Sequence, residues 1–126
     1  MDAGPALVSI LRQGTCLVVS IHTALDDAQM ARLRNHLSLQ IGHRRSRAVL
    51  IDLAALAVVD SFATMTLRNI SEQARLRGAT TIIVGIQPDV AFAMVTLGLA
   101  AADMQTALDL EEGLQCLVRD AKGTTA

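Results

Sequence analysis

A single α/β domain is what this sequence predicts, and two patterns predict it. Short runs rich in Val, Ile and Leu recur at 6–11, 16–21, 48–53 and 80–85. Longer stretches whose apolar residues fall at helical spacing stand between the later runs. This alternation of strand and helix favours one layered α/β fold. A chain of 126 residues fits one domain; its expected extent is 4–121, with 122–126 as a frayed tail.

The elements follow in order. The runs at 6–11 and 16–21 flank Gln13-Gly14-Thr15 and read as two strands joined by a tight turn. Asp26 caps a helix with Gln29 at its third position, and Met30, Leu33, Leu37 and Ile41 then recur at helical spacing, which predicts a helix over 27–43. The nearly continuous apolar run at 48–53 is that of a central strand covered on both faces, with Asp52 near its end. Asp60-Ser61 opens a second helix, which runs through Leu67, Ile70 and Ala74 to Arg77, with Gly78 as its stop. Ser61 thus stands in the cap or the first turn. A further Val/Ile-rich strand covers 80–85, and Gln87-Pro88 starts a short helix with Pro at its first position. A weaker strand is expected around 104–106. Asp109 and Glu112 then form a capping box for a last helix carrying Leu110, Leu114, Leu117 and Val118.

Composition excludes several functions. Hydrophobic residues make up 52% and charged residues 18%, the make-up of a globular core former. The aromatic residues are Phe62 and Phe92, so the stacking platforms of single-strand binding are missing, and a formal net charge of −1 sets up no large field for phosphate backbones. Nucleic acid is therefore not an expected partner. Arg44, Arg45 and Arg47 read as a solvated connection after a helix. The weakly polar run at 90–102 is too short for the roughly 20 residues of a bilayer span. No secretory leader is read at the start, so a cytoplasmic location off the membrane is expected. Cys16 and Cys116 show neither zinc nor disulfide spacing and are expected to be reduced thiols.

Catalytic chemistry finds no footing. His22, His36 and His43 lack ligand spacing, Lys122 is the one lysine, and neither a GxxxxGK loop nor a GxSxG elbow is present. No metal, cofactor or catalytic residue is assigned, and the chain is expected to hydrolyse no nucleotide. The sharpest decoy is Asp52, because an acidic residue ending a central strand is what a phosphoaccepting receiver domain shows. A receiver also needs a Mg²⁺-binding acidic pair after its first strand, where this chain has Leu11-Arg12-Gln13, and a late lysine.

Ser61 has two readings. On pattern alone AVVDSFA is a helix cap. The chemistry of a helix start adds a second reading, because unpaired backbone N–H groups and the helix dipole there accommodate a phosphate. Phosphorylation of Ser61 adds about −1.5 to −2 charges beside Asp60. No lysine or base stands near Ser61 in sequence, so the chain is then a substrate and a partner kinase the catalyst.

The segments VLIDLAALAVVDSFA, GATTIIVGIQPDVAFAMVTLGL and TALDLEEGL resemble the STAS-domain proteins of the bacterial stressosome, within the anti-sigma-factor-antagonist superfamily. The match covers nearly the whole chain. Asp60-Ser61 after a Val/Ile strand resembles the wider superfamily, whereas VGIQP and TALDLEEGL look like the stressosome group. The resemblance implies a mixed sheet of about four to five strands with about four helices packed mainly on one face. It implies a phosphorylatable switch serine, carried onto Ser61, with Asp60 as its cap and acidic neighbour. It implies assembly with paralogous sensor STAS proteins into a large oligomer that sequesters a serine/threonine kinase until phosphorylation, with a phosphatase to reset it, as part of a stress response. At the position of a second regulatory threonine in larger relatives this chain has Ala93. The alternatives are a monomeric anti-sigma-factor antagonist acting by partner switching and, more remotely, a receiver-like domain.

Overall fold

The computed structural model describes residues 7–43, 46–97 and 105–115. In chain order these form β1 (Val8–Gln13), β2 (Cys16–Ile21), α1 (Asp27–His43), β3 (Ala48–Asp52), α2 (Ser61–Leu76), β4 (Thr80–Val84), α3 (Pro88–Thr96) and β5 (Gln105–Ala107). Residues 110–115 are helical and are called α4. One sheet holds the strands in the order β1-β2-β3-β4-β5; β1 is antiparallel to β2, and every later pairing is parallel. A receiver-like domain has the order 2-1-3-4-5, so that remote alternative does not match this topology. No helix among the described residues is long and apolar enough to cross a membrane. Arg44, Arg45, Cys116 and the expected tail lie outside the described residues.

Strand periodicity divides the core in two. Leu17, Val19, Ile21, Val49, Ile51 and Ile83 point to one face, where α1, α2 and α3 pack through residues such as Leu37, Ile70 and Val90. The residues between them, Val18, Leu50, Ile82 and Val84 among others, meet Ala107, Leu110 and Leu114 on the opposite face. The placement follows from topology: each parallel crossover advances by one strand in the same direction, and the right-handed rule then puts successive helices on one side. Covering both faces explains why β3 and β4 read as apolar runs rather than alternating ones. The approach of α4 depends on Gly113, where an added Cβ would stand 2.6 Å from Leu50 Cδ2 and 2.8 Å from Val84 Cγ1. Cys16 is buried in this second layer, and burial pushes its thiol above the usual range, against the smaller pull of a Leu50 backbone hydrogen bond and of Arg12.

The helix ends bear out the sequence signals with small offsets. Asp26 Oδ1 accepts from the Gln29 N–H at 2.7 Å while Gln29 Oε1 accepts from the Asp26 N–H at 2.8 Å, a complete capping box. At α4, Asp109 Oδ1 accepts from the Glu112 N–H at 2.9 Å, but the Glu112 carboxylate reaches back to the Leu108 N–H rather than to that of Asp109. β1 lies two residues later than its apolar run suggests, because pairing decides its extent. Val8↔Ile21 through Gln13↔Cys16 fill the ladder, and Arg12 is held in the strand by hydrogen-bonding Ser46 Oγ at 2.9 Å.

Candidate functional site

The loop between β3 and α2 is held from several sides before it delivers Asp60 and Ser61. Leu53, Leu56 and Val59 are buried and anchor it to the core. The Leu53 N–H donates to the Val84 carbonyl at 2.9 Å, and Asp52 Oδ1 accepts from the Ala54 N–H at 2.9 Å. From the next loop, Gln87 Nε2 donates to the Ala54 carbonyl at 2.8 Å. Asp52 is therefore engaged in a local turn of the Asx kind. The segment leading to Ser61 is positioned by packing and hydrogen bonds together, which keeps the start of α2 in one place.

At that start the roles of the two residues separate. Asp60 has an extended backbone, φ −85° and ψ 179°, and its Oδ1 accepts from the Ala63 N–H at 2.8 Å, so Asp60 is the N-cap of α2. Its carbonyl accepts the Thr64 N–H at 2.9 Å. Ser61 is the first helical residue and is exposed. Among the described residues none hydrogen-bonds its hydroxyl. The N–H groups of Ser61 and Phe62 stand ahead of the first intrahelical bonds, at the positive end of the helix dipole. Replacing Asp60 by Ala is expected to lower stability by about 0.5–2 kcal/mol, whereas Ser61→Ala changes it by less than about 0.5 kcal/mol. Urea denaturation of both variants checks this, and the reverse ranking would make Ser61 the capping side chain.

The hydroxyls of α2 differ in access. Thr64 is 1% exposed and Thr66 is 2% exposed, with Thr66 Oγ1 donating to the Phe62 carbonyl at 2.8 Å. On α3, Thr96 Oγ1 donates to the Phe92 carbonyl at 3.0 Å, and Ala93 is half-buried.

A feature the sequence reading missed surrounds Ser61. Val58 is 70% exposed and Met65 63% exposed, with Phe62 between them in sequence also exposed. Phe62 and Met65 lie three residues apart and share one face of α2. Their hydrophobicity belongs to the surface and not to the core. The signal was present in the spacing, since the buried stripe Leu67, Ile70 and Ala74 already fills the core face of this helix. A cleft of about 80 Å³ beside Asp60 is far below the roughly 300–1,000 Å³ of ordinary ligand sites. Among the described residues no group of His, Cys, Asp or Glu is arranged to hold a metal. His22 Nε2 lies 2.8 Å from Ser9 Oγ, and His36 is exposed on α1. The arrangement offers a neutral, accessible hydroxyl on a fixed helix start, set in apolar surface.

Comparison with known proteins places this geometry. The STAS domain model matches residues 8–113. The RsbT co-antagonist protein RsbRA of Bacillus subtilis is 31% identical over 98 residues, which cover 78% of this chain and 36% of RsbRA, so the chain spans about a third of that relative. Among solved structures, a serine-to-glutamate variant of Moorella thermoacetica RsbS is 35% identical with a TM-score of 0.84, covering 93% of this chain and 99% of that one. A chain from a structure described as the molecular architecture of the stressosome is 32% identical with a TM-score of 0.76, covering 90% of this chain and 98% of that one. The mixed five-stranded sheet, the single domain and these likenesses to stressosome proteins agree, and the chain belongs to the STAS domain family.

Proposed function

We propose that this chain is a non-catalytic phospho-switch scaffold of the stressosome type. It assembles with itself and with larger paralogous sensor STAS proteins, and it sequesters a serine/threonine kinase while Ser61 carries a free hydroxyl. Phosphorylation of Ser61 by that kinase releases the kinase to downstream stress signalling, a phosphatase restores the hydroxyl, and the cycle runs in the cytoplasm. The observation that carries this reading is the exposed Ser61 hydroxyl at the first residue of α2, unbonded among the described residues and flanked by the exposed apolar side chains of Val58, Phe62 and Met65. A partner that covers those side chains gains apolar burial of about 25 cal/mol per Å² and comes to rest over the hydroxyl it modifies. The likeness to RsbS and to a stressosome chain supports the assembly part of the reading.

Phosphorylation is expected at Ser61 alone among the candidate hydroxyls discussed. Thr64 and Thr66 are buried, and Ala93 offers no hydroxyl in α3. Phosphopeptide mapping after incubation with the cognate kinase and ATP checks this. Substantial occupancy of Thr64, Thr66 or Thr96 with Ser61 unmodified would remove Ser61 from the switch.

A further inference from the structure

The near-zero net charge conceals a separation of charge along the strands. Because β2 to β5 are parallel, their carboxyl ends and the starts of the following helices lie together at one end of the sheet. Asp26 and Asp27 stand at the start of α1, Asp60 caps α2, and Asp89 is in the first turn of α3. Asp109, Glu111 and Glu112 open α4, and Asp52 ends β3. Among the described residues no Arg or Lys stands in the first turn of these helices or in the loops that lead into them. The opposite end holds Arg12 at the close of β1, Arg47 before β3 and Arg77 at the C-cap of α2. Among the described residues no carboxylate stands in the last turn of α1 or α2 or in the turns between these elements and the next strand. The cause is general: acidic residues cap helix starts, and parallel topology puts the starts at one end and the finishes at the other.

The arginine end also has shape. A cleft of about 410 Å³ between the ends of α1 and α2 and the start of β3 is lined by Ile41, Gly42, Ser46, Arg47, Arg77 and Gly78. Arg77 lies across Gly42, where a Cβ would collide with its guanidinium. Arg12 closes one side by donating to Ser46 Oγ at 2.9 Å. Arg47 and Arg77 are exposed, and neither forms an ion pair with a described carboxylate. A five-residue strand spans roughly 17 Å, about two Debye lengths at physiological salt, so the two ends act as separate patches of opposite sign.

We propose that a second copy of this chain docks head to tail, the carboxylates at the helix starts of one copy entering the Arg47–Arg77 cleft of the next. The occupant follows from complementarity carried within one chain: each copy presents both the acidic donor end and the basic receptor cleft. Such a contact is heterologous and leaves one free patch of each sign, so it propagates into an open chain or closes into a ring. The proposal rests on the assembly part of the proposed function and deepens it; Ser61 stands at the acidic end, and both forms that test the contact leave it and Asp60 unchanged.

Two neutralised forms of the full chain test it by sedimentation velocity. One is Arg47→Gln with Arg77→Gln; the other is Asp27→Asn, Asp89→Asn and Glu111→Gln, exposed carboxylates that accept none of the capping bonds described. At an ionic strength on the order of 0.01 M, where the Debye length is about 30 Å, the wild-type chain is expected to grow with concentration, and each form alone to stay monomeric. Their mixture is expected to stop at a one-to-one pair, because only one intact patch of each sign remains. At about 1 M salt the wild-type chain is expected to return to monomer. A wild-type chain that is monomeric at low salt, an arginine form that associates as wild type does, or association indifferent to salt overturns the contact. Kinase release measured on Ser61 variants stands apart from all three outcomes, so the contact and the switch fail separately.

Discussion

Ser61→Asp is expected to bind the serine/threonine kinase at least about tenfold more weakly than Ser61→Ala, a difference of about 1.4 kcal/mol or more. The structure supplies the physical contrast. Ser61 is the first residue of α2 and not its cap, so neither substitution removes the Asp60 bond to the Ala63 N–H. Aspartate at the first helical position also suits the dipole, so the Asp variant is expected to melt no lower than the Ala variant. What changes is the surface. The hydroxyl is set beside exposed Val58, Phe62 and Met65, and a partner that covers them desolvates position 61. A small neutral side chain tolerates that burial, whereas a carboxylate next to Asp60 must either lose its water unpaired or hold the partner away. Kinase-binding titrations on the two folded variants decide the matter. Equal affinity would leave Ser61 as an ordinary helix-start residue.

Gly85→Ala is expected to destabilise the domain by about 2–4 kcal/mol, combining left-handed backbone strain with overpacking. Gly85 has φ +75°, and an added Cβ would stand 2.9 Å from both Ala54 Cβ and Asp52 Oδ1 and 3.1 Å from the Ala54 nitrogen. Those atoms make the turn that leads into the Ser61 loop, where Asp52 Oδ1 holds the Ala54 N–H and Gln87 holds the Ala54 carbonyl. Gly78 is the control: its φ is +85°, but open space surrounds its Cβ position. Gly78→Ala is therefore expected to show the backbone penalty alone, about 1–2 kcal/mol. Thermal melts of Gly85→Ala and Gly78→Ala separate the two contributions. Equal losses would mean that crowding at Asp52 and Ala54 contributes nothing.

The residues that state their own role locally were legible. The run through Val49, Leu50 and Ile51 announced a strand buried on both faces, and both faces are covered. Asp26 with Gln29 announced a capping box, and Met30, Leu33, Leu37 and Ile41 announced the buried stripe of α1. Asp60-Ser61 announced a helix start. These signals depend on interactions within a few residues, which spacing encodes directly.

What only the tertiary structure decided depends on partners distant in sequence. Arg12 belongs to β1 because Leu17 pairs with it and Ser46 accepts its hydrogen bond. The net charge of −1 gave no hint of a dipolar molecule. Each helix start is acidic for a local reason, but only the parallel order of β2 to β5 gathers those starts at one end and leaves Arg12, Arg47 and Arg77 at the other. Local rules chose the charges, and topology added them as vectors.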